Sequence, residues 1–253
     1  MVEDGDIPED HPRSDSLLTR HRIEAGVDAG ITSRQGLISE GRGEAYDYLL
    51  GEETIPSADD AARAAAAQLL LADHPVISVN GNAAALVPDE LVELADVVGA
   101  DLEVNLFNRT RERMEAIASH LEDHGATEVK GLEGDASIPG LSSERGTVDA
   151  DGIYDADVVL VPLEDGDRAA ALSAMGKTEI VIDLNPLSRS PRTAAIPVVD
   201  NILRAIPRII DHAESLDGAS DATLREIVDS FDEKAALRKA EERIRSGIDR
   251  DAP

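Results

Sequence analysis

The chain has 253 residues, with 52 acidic against 24 basic side chains, a net charge of −28 and no cysteine. That balance excludes nucleic acid and anionic membranes as partners, because both need a basic patch, and it excludes a disulfide framework or a thiolate metal site. No run of eighteen apolar residues occurs, so no membrane-spanning helix is expected. The opening MVEDGDIPEDHPRS has neither the basic start nor the apolar middle of a secretory signal, which points to a cytoplasmic protein.

Residues 1–10 read as an acidic, disordered leader, and residues 11–253 as one α/β domain. Within it, 11–73 form an N-terminal helical part, 74–215 the core and 216–253 C-terminal helices. SDSLLTRHRIEAGVDAG reads as a helix ending near Gly30. The glycine-rich ITSRQGLISEGRGEAYDYLLGEE reads as a loop feeding a short helix. There Arg42, between Gly41 and Gly43, can approach a phosphate closely; a glycine-rich helix start with Arg42 paired to a carboxylate such as Glu44 is the alternative. Ser57 and Asp60 resemble a capping box opening an alanine-rich helix. Strand-like segments follow at 76–79, 102–107, 128–132, 157–163, 180–184 and 196–199. Helical patterns alternate with most of them, at 89–98, 109–122, 168–175 and 202–213. Two further helices, 222–230 and 233–245, close the chain.

Short apolar strands alternating with helices predict a Rossmann-like, mostly parallel sheet covered on both faces. Such sheets bind ligands beyond the carboxyl ends of their strands, which singles out four segments. In PVISVNGNAAAL, a buried strand, a turn at Asn80-Gly81-Asn82 and a helix start make a phosphate-gripping shape. It lacks both the P-loop lysine and the glycine fingerprint of a dinucleotide site. In DLEVNLFNRTRERM, Glu103 and Asn105 are polar residues inside a strand that should be buried, and Arg109 opens a helix. Arg111 and Arg113 read as solvated or paired helix residues. In VPLEDGDR, Glu164, Asp165 and Asp167 are placed to hold magnesium or to cap the next helix. In VIDLNPLSRS, Asp183 and Asn185 suit ribose, base or metal, and Arg189 with Ser190 offers a fork and a hydroxyl for phosphate; a plain strand-ending turn is the alternative.

The charge has its own reading. Only Lys130, Lys177, Lys234 and Lys239 are lysines, and the carboxylates are spread along the chain. A lysine-poor, carboxylate-coated surface suits concentrated salt, where repulsion is screened, and points to a halophilic archaeon. On such a chain the arginines are expected to be paired or aimed at anionic ligands. The six scattered histidines give no paired zinc spacing, and no G-x-S-x-G elbow supports a serine hydrolase.

In order along the chain, HPRSDSLLTR, GLISEGRGEAYDYLLGE, PVISVNGNAAAL, LEVNLFNRT, ADVVLVPLEDGDR and VIDLNPLSRS…VVDNILRA closely resemble the archaeal phosphopantothenate synthetase (4-phosphopantoate–β-alanine ligase) family over about residues 11–208. The resemblance implies an ATP-dependent ligase of coenzyme A biosynthesis. It would condense (R)-4-phosphopantoate with β-alanine through an acyl-adenylate, releasing AMP and diphosphate. It further implies a homodimer with a Rossmann-like core, and ATP contacts at Arg20, Arg42, Asp183, Leu184, Asn185, Arg189, Ser190, Asn201 and Ile202. Mg²⁺ would accompany ATP, with Asp165 and Asp167 as candidate ligands. Asn80, Asn82, Asn105 and Arg109 are the candidate substrate contacts. The family segment more often reads AHGRGEA; here Ser39 and Glu40 precede Gly41. The competing expectations are a non-catalytic nucleotide-binding regulator and an NAD-dependent oxidoreductase on the same sheet, the latter opposed by the missing fingerprint.

Overall fold

The computed structural model describes residues 13–162 and 166–249. The described strands are β1 (Pro75–Val79), β2 (Asp101–Val104), β3 (Val129–Lys130), β4 (Ala136–Ser137), β5 (Thr147–Val148), β6 (Val158–Pro162), β7 (Thr178–Ile182) and β8 (Ile196–Val198). Six of them form one parallel sheet in the order β3-β2-β1-β6-β7-β8, while β4 and β5 form a separate antiparallel pair. The chain starts in the middle of the sheet, builds outward through β2 and β3, then returns past β1 to build the other half. The order therefore reverses between β1 and β6. That switch point opens a crevice at the carboxyl ends of the strands.

The helices are α1 (Ser14–Asp28), α2 (Arg34–Leu50), α3 (Pro56–Leu71), α4 (Gly81–Leu86), α5 (Pro88–Val98), α6 (Arg111–Asp123), α7 (Gly166–Ala174), α8 (Arg189–Thr193), α9 (Ile202–Ser215), α10 (Asp221–Ser230) and α11 (Glu233–Arg245). Strands β1 and β6 are buried along their whole length, which is why PVISV and VVLVP read as unbroken apolar runs and do not alternate. Ala61, Ala62 and Ala64 to Ala67 are all within 1% of full burial. Their small side chains let α3 lie close against α9 and α10.

Two local expectations are corrected. The capping box at Ser57 is not formed. Pro56 occupies the first turn of α3 and Ile55, at the cap, makes no side-chain bond; a proline there loses no helical donor, so the turn needs no box. The glycine-rich segment is not a loop: α2 runs for 17 residues through Gly36, Gly41 and Gly43. Interior glycines cost about 1 kcal/mol each against alanine. Gly36 is required because a Cβ there would collide with the side chains of Thr32 and Asn82. Arg42 consequently projects from mid-helix, not from a tight turn.

Candidate active site

The turns after β1 and β7, on either side of β6 in the sheet, differ in how they use their polar groups. After β1, Asn80 caps α4: its Oδ1 accepts from the backbone N–H groups of Asn82 and Ala83 at 3.0 Å each. The N–H groups that a phosphate would take are thus satisfied from within the turn. Asn80 Nδ2 donates to the carbonyl of Pro162 at 2.7 Å, tying the end of β1 to that of β6. Asn82 is buried. Its Oδ1 accepts from the Thr32 hydroxyl, and its Nδ2 donates to the Gly36 carbonyl at 3.1 Å, so it fastens the start of α2 to α4.

After β7, Asp183 Oδ1 accepts from the Asn185 N–H at 2.9 Å and Oδ2 from the Ser188 hydroxyl at 2.6 Å. Burial pushes the Asp183 carboxyl up, opposed by these bonds and by the charge of Arg42. This turn faces a cavity of about 290 Å³ lined by Arg42, Tyr46, Asp183, Leu184, Asn185 and Ser190, among others. Five of the nine positions to which the resemblance assigns ATP are thereby brought together from α2 and the β7–α8 turn.

The remaining four sit differently. Arg189, exposed at the start of α8, is ion-paired with Asp167 at the start of α7; Gly166 leaves room for it, since a Cβ there would lie 2.6 Å from Arg189 Cβ. Asn201 caps α9 and donates to Asp47 Oδ2 at 2.8 Å. Ile202 follows it, buried among the core side chains. Arg204 bridges Asp47 and Asp200 at 2.5 and 2.8 Å, which locks α2 to α9 behind the cavity. Arg20 is held by Glu44, its Nε donating at 3.1 Å. At 100° per residue, Glu44 lies about 150° around α2 from the mean direction of Ser39, Arg42, Gly43 and Tyr46, so Arg20 stands on the far side of the helix from this cavity.

A second cavity of about 310 Å³ lies at the ends of β1 and β2, lined by Thr32, Asn80, Asn82, Asn108, Arg113 and Arg145, among others. Ser39 lines both cavities. Arg113, expected as a solvated or paired helix residue, is held instead by backbone carbonyls. It is partly buried and donates to the carbonyls of Asn108 and Ile31 at 2.8 and 3.3 Å, and desolvation lowers its pKa. Arg145 is 6% exposed, on a one-turn 3-10 helix (Glu144–Gly146) that carried no sequence signal. Asn105 and Arg109 do not line this cavity. Asn105 Nδ2 donates to the carbonyls of Arg145 and Thr147 at 3.2 Å and so braces the segment that carries Arg145, while Arg109 donates to the carbonyl of Gly131 at 2.6 Å and holds the turn after β3. Glu103 has a similar role, accepting from the N–H groups of Asp149 and Ile153 at 3.2 and 2.6 Å.

Glu40 lies behind Asn82, partly buried, with Glu44 and Asp47 nearby. Burial first, then those two charges, push its carboxyl up to about 7 while a bond from Asn82 opposes the shift. At the position where the resembled family more often has histidine, this chain thus carries a carboxyl that titrates in histidine's range. Among the described residues no group of three or more His, Asp or Glu side chains is arranged to hold a metal; Asp165 lies outside the described residues and Asp167 is engaged by Arg189. A further cavity of about 290 Å³, beside Asp60 and Lys239 between α3 and the C-terminal helices, is remote from the strand ends.

The profile of the phosphopantothenate/pantothenate synthetase family matches residues 57–247. The chain belongs to this family. Three relatives carry the name 4-phosphopantoate–beta-alanine ligase. The protein of Methanosarcina mazei is 54% identical over 93% of this chain and 92% of its own length. That of Thermococcus kodakarensis is 52% identical over 96% and 94%, and that of Thermococcus onnurineus 53% identical over 91% and 89%. The family match includes the turns after β1 and β7 and Arg113 and Arg145, while α1 and α2, with Arg20 and Arg42, precede residue 57 and are covered by the near full-length relatives.

Proposed function

We propose that this protein is an ATP-dependent ligase that joins (R)-4-phosphopantoate to β-alanine, yields 4′-phosphopantothenate, AMP and diphosphate in coenzyme A biosynthesis, and works as a homodimer. The observation that carries the reading is the pair of cavities meeting at Ser39 beside the switch point, one with Arg42, Asp183 and Ser190, the other with Arg113 and Arg145.

In this reading the first cavity takes ATP. Arg42 and Arg189 face the phosphates, the second after leaving Asp167. Asp183 uses its remaining lone pairs for ribose hydroxyls. Leu184 and Asn185 shape the wall, Ser190 donates, and Asn201 with Ile202 hold the wall from behind. The second cavity takes phosphopantoate, its phosphate toward Arg113 and Arg145 and its carboxylate toward Ser39. A carboxylate oxygen then attacks the α-phosphorus and diphosphate leaves. In the second step the β-alanine nitrogen attacks the acyl carbon, AMP departs and the nitrogen gives up a proton. Neither step needs a side-chain nucleophile; positioning and stabilisation of charge at the α-phosphate supply the rate. Asn80 and Asn82 shape the second cavity, Asn105 acts by bracing it, and Arg109 holds the turn after β3. The described residues do not amount to a protein-built magnesium cage; Mg²⁺ is expected to arrive on the nucleotide's phosphates. Arg20, clamped by Glu44, stays a candidate nucleotide contact only if it leaves that carboxylate or serves a second subunit.

The test is a product assay in concentrated potassium chloride, which suits the carboxylate-coated surface, with magnesium, ATP, 4-phosphopantoate and β-alanine. AMP and phosphopantothenate forming together, and only with both organic substrates, is the expected result. ADP in place of AMP would replace the adenylate by an acyl phosphate. No turnover by folded, ATP-binding protein would overturn the ligase reading.

A further inference from the structure

We infer that α2 is the seam along which two copies of this chain pair, antiparallel, about a two-fold axis level with position 43, on the helix face opposite Gly43 itself. The inference rests on the homodimer proposed above and adds its location. Of the seven large apolar side chains exposed among the described residues, four lie on this one helix: Leu37 at 42%, Ile38 at 69%, Tyr48 at 41% and Leu49 at 47%. At 100° per residue they fall, with Gly41 and Ala45, within a stripe about 120° wide. The stripe is separate from the buried face at Gly36, Asp47 and Leu50.

The spacing is self-complementary. Positions 37 and 49 lie six residues either side of 43, 38 and 48 lie five, and 41 and 45 lie two. An antiparallel two-fold places Leu37 and Ile38 of one helix level with the partner's Tyr48 and Leu49, and repeats that layer at the other end. At the centre Gly41 and Ala45 face each other, and a Cβ at Gly41 would meet nothing within the chain. Small residues at the crossing and large ones at both ends suit close packing of a pair of helices. An isologous interface requires this kind of self-matching patch.

Charge selects the same surface. The whole chain carries −28, but residues 13–50 hold five arginines against six carboxylates. Two such molecules repel over most of their surfaces and least here. Arg20 with Glu44, and Arg13 donating to the Tyr48 hydroxyl at 2.7 Å, form a balanced polar flank along one side of the stripe, as expected of an interface rim.

The test reads mass and proximity, not turnover, so it is independent of whether the ligase reading holds. Light scattering in concentrated potassium chloride is expected to give twice the chain mass. Ala45→Glu sets carboxylates at the crossing and should weaken pairing at least 100-fold with an unchanged circular dichroism spectrum; Ile38→Glu provides a second variant at a fully surface position. Because the chain has no cysteine, Ala45→Cys gives one defined thiol, and a short bis-maleimide should link it into a covalent dimer while Glu214→Cys, exposed on α9, stays unlinked. A wild-type dimer that survives both glutamates and leaves Cys-bearing position 45 unlinked would place the seam elsewhere. A wild-type monomer would overturn both the seam and the pairing it rests on.

Discussion

The turns after β1 and β7 have the same outline, a buried parallel strand ending in a short polar segment with asparagine, yet they do different work. Asn80 and Asn82 spend their groups on the backbone of α4, on β6 and on α2. Asp183 and Asn185 also satisfy local donors, but their turn opens onto a cavity with an arginine across from it. Both turns line a cavity, but the first spends its side-chain groups on fastening the wall, while the second keeps Asp183 within reach of the charge of Arg42. What separates them is burial and the direction of the remaining lone pairs, neither of which a motif records.

The largest expected effect lies at the fastening. Asn82→Ala removes a buried donor and acceptor together and strands the Thr32 hydroxyl and the Gly36 carbonyl. Two buried hydrogen bonds with their desolvated partners put the cost at about 3 kcal/mol. A clear drop in the denaturant midpoint should result, with catalysis lost alongside it as α2 loosens. Loss of substrate affinity at unchanged stability would instead make Asn82 a ligand contact and erase the contrast.

Arg42→Ala should do the reverse. Among the described residues its guanidinium makes one hydrogen-bond contact, to Ser39 at 3.5 Å, and otherwise acts on Asp183 through its charge, so stability should change little. A charge-assisted bond to phosphate is worth about 2 kcal/mol, which corresponds to roughly a 30-fold weaker ATP dissociation constant. Calorimetric titration beside a thermal melt measures both. Arg20→Ala, on the far side of α2, should weaken ATP less; an equal loss would bring Arg20 to the nucleotide after all.

The sheet was legible because both its faces are covered: apolar runs such as VVLVP have no other stable use at that length. Asp183, Asn185 and Ser190 could be found from strand-end position and residue type, and Arg42 from its place between two glycines, although the tight turn expected there is a helix. Long-range pairing could not. Nothing local marks Arg113 as desolvated, since that depends on Ile31 and Asn108 closing around it. Arg145 sits in a one-turn 3-10 helix held by Asn105 from 40 residues away. The misreading of α2 as a loop has a related cause. Three glycines argue for a loop by propensity, but Gly36 is there for contact with Asn82 and Thr32, and Asp47 for Arg204, so tertiary packing overrides local preference.

The carboxyl behind the first turn gives a pH signature. Glu40 titrates near 7 in the fold against 4.5 unfolded. A raised folded pKa means the native state holds the proton more tightly, so its stabilising contribution is complete below about 4.5 and fades as pH rises through 7. Other groups titrate in the same range, including Glu103, also pushed up to about 7 by burial, so the informative quantity is a difference. Wild type minus Glu40→Gln should lose melting temperature steadily between pH 5 and 7.5. A flat difference curve would mean that Glu40 is solvated and that Asn82 is not backed by a neutral carboxyl.

The smallest effect belongs to the rim of the second turn. Arg189 and Asp167 are 66% and 70% exposed at their side chains, and exposed ion pairs contribute at most about 1 kcal/mol. Asp167→Ala should therefore leave the melting temperature nearly unchanged. Its effect on ATP decides between two roles for the aspartate. If Asp167 only parks Arg189, removing it frees the arginine for phosphate, and ATP should bind equally well or slightly tighter, with the magnesium dependence of binding unaltered. If it holds the nucleotide's magnesium, ATP affinity falls and the magnesium concentration needed for half-saturation rises, because a carboxylate ligand has been lost. Titrating ATP at several magnesium concentrations separates the two. The pairing with Arg189 favours the first, since an aspartate already neutralised by a guanidinium attracts a cation less strongly than a solitary carboxylate would.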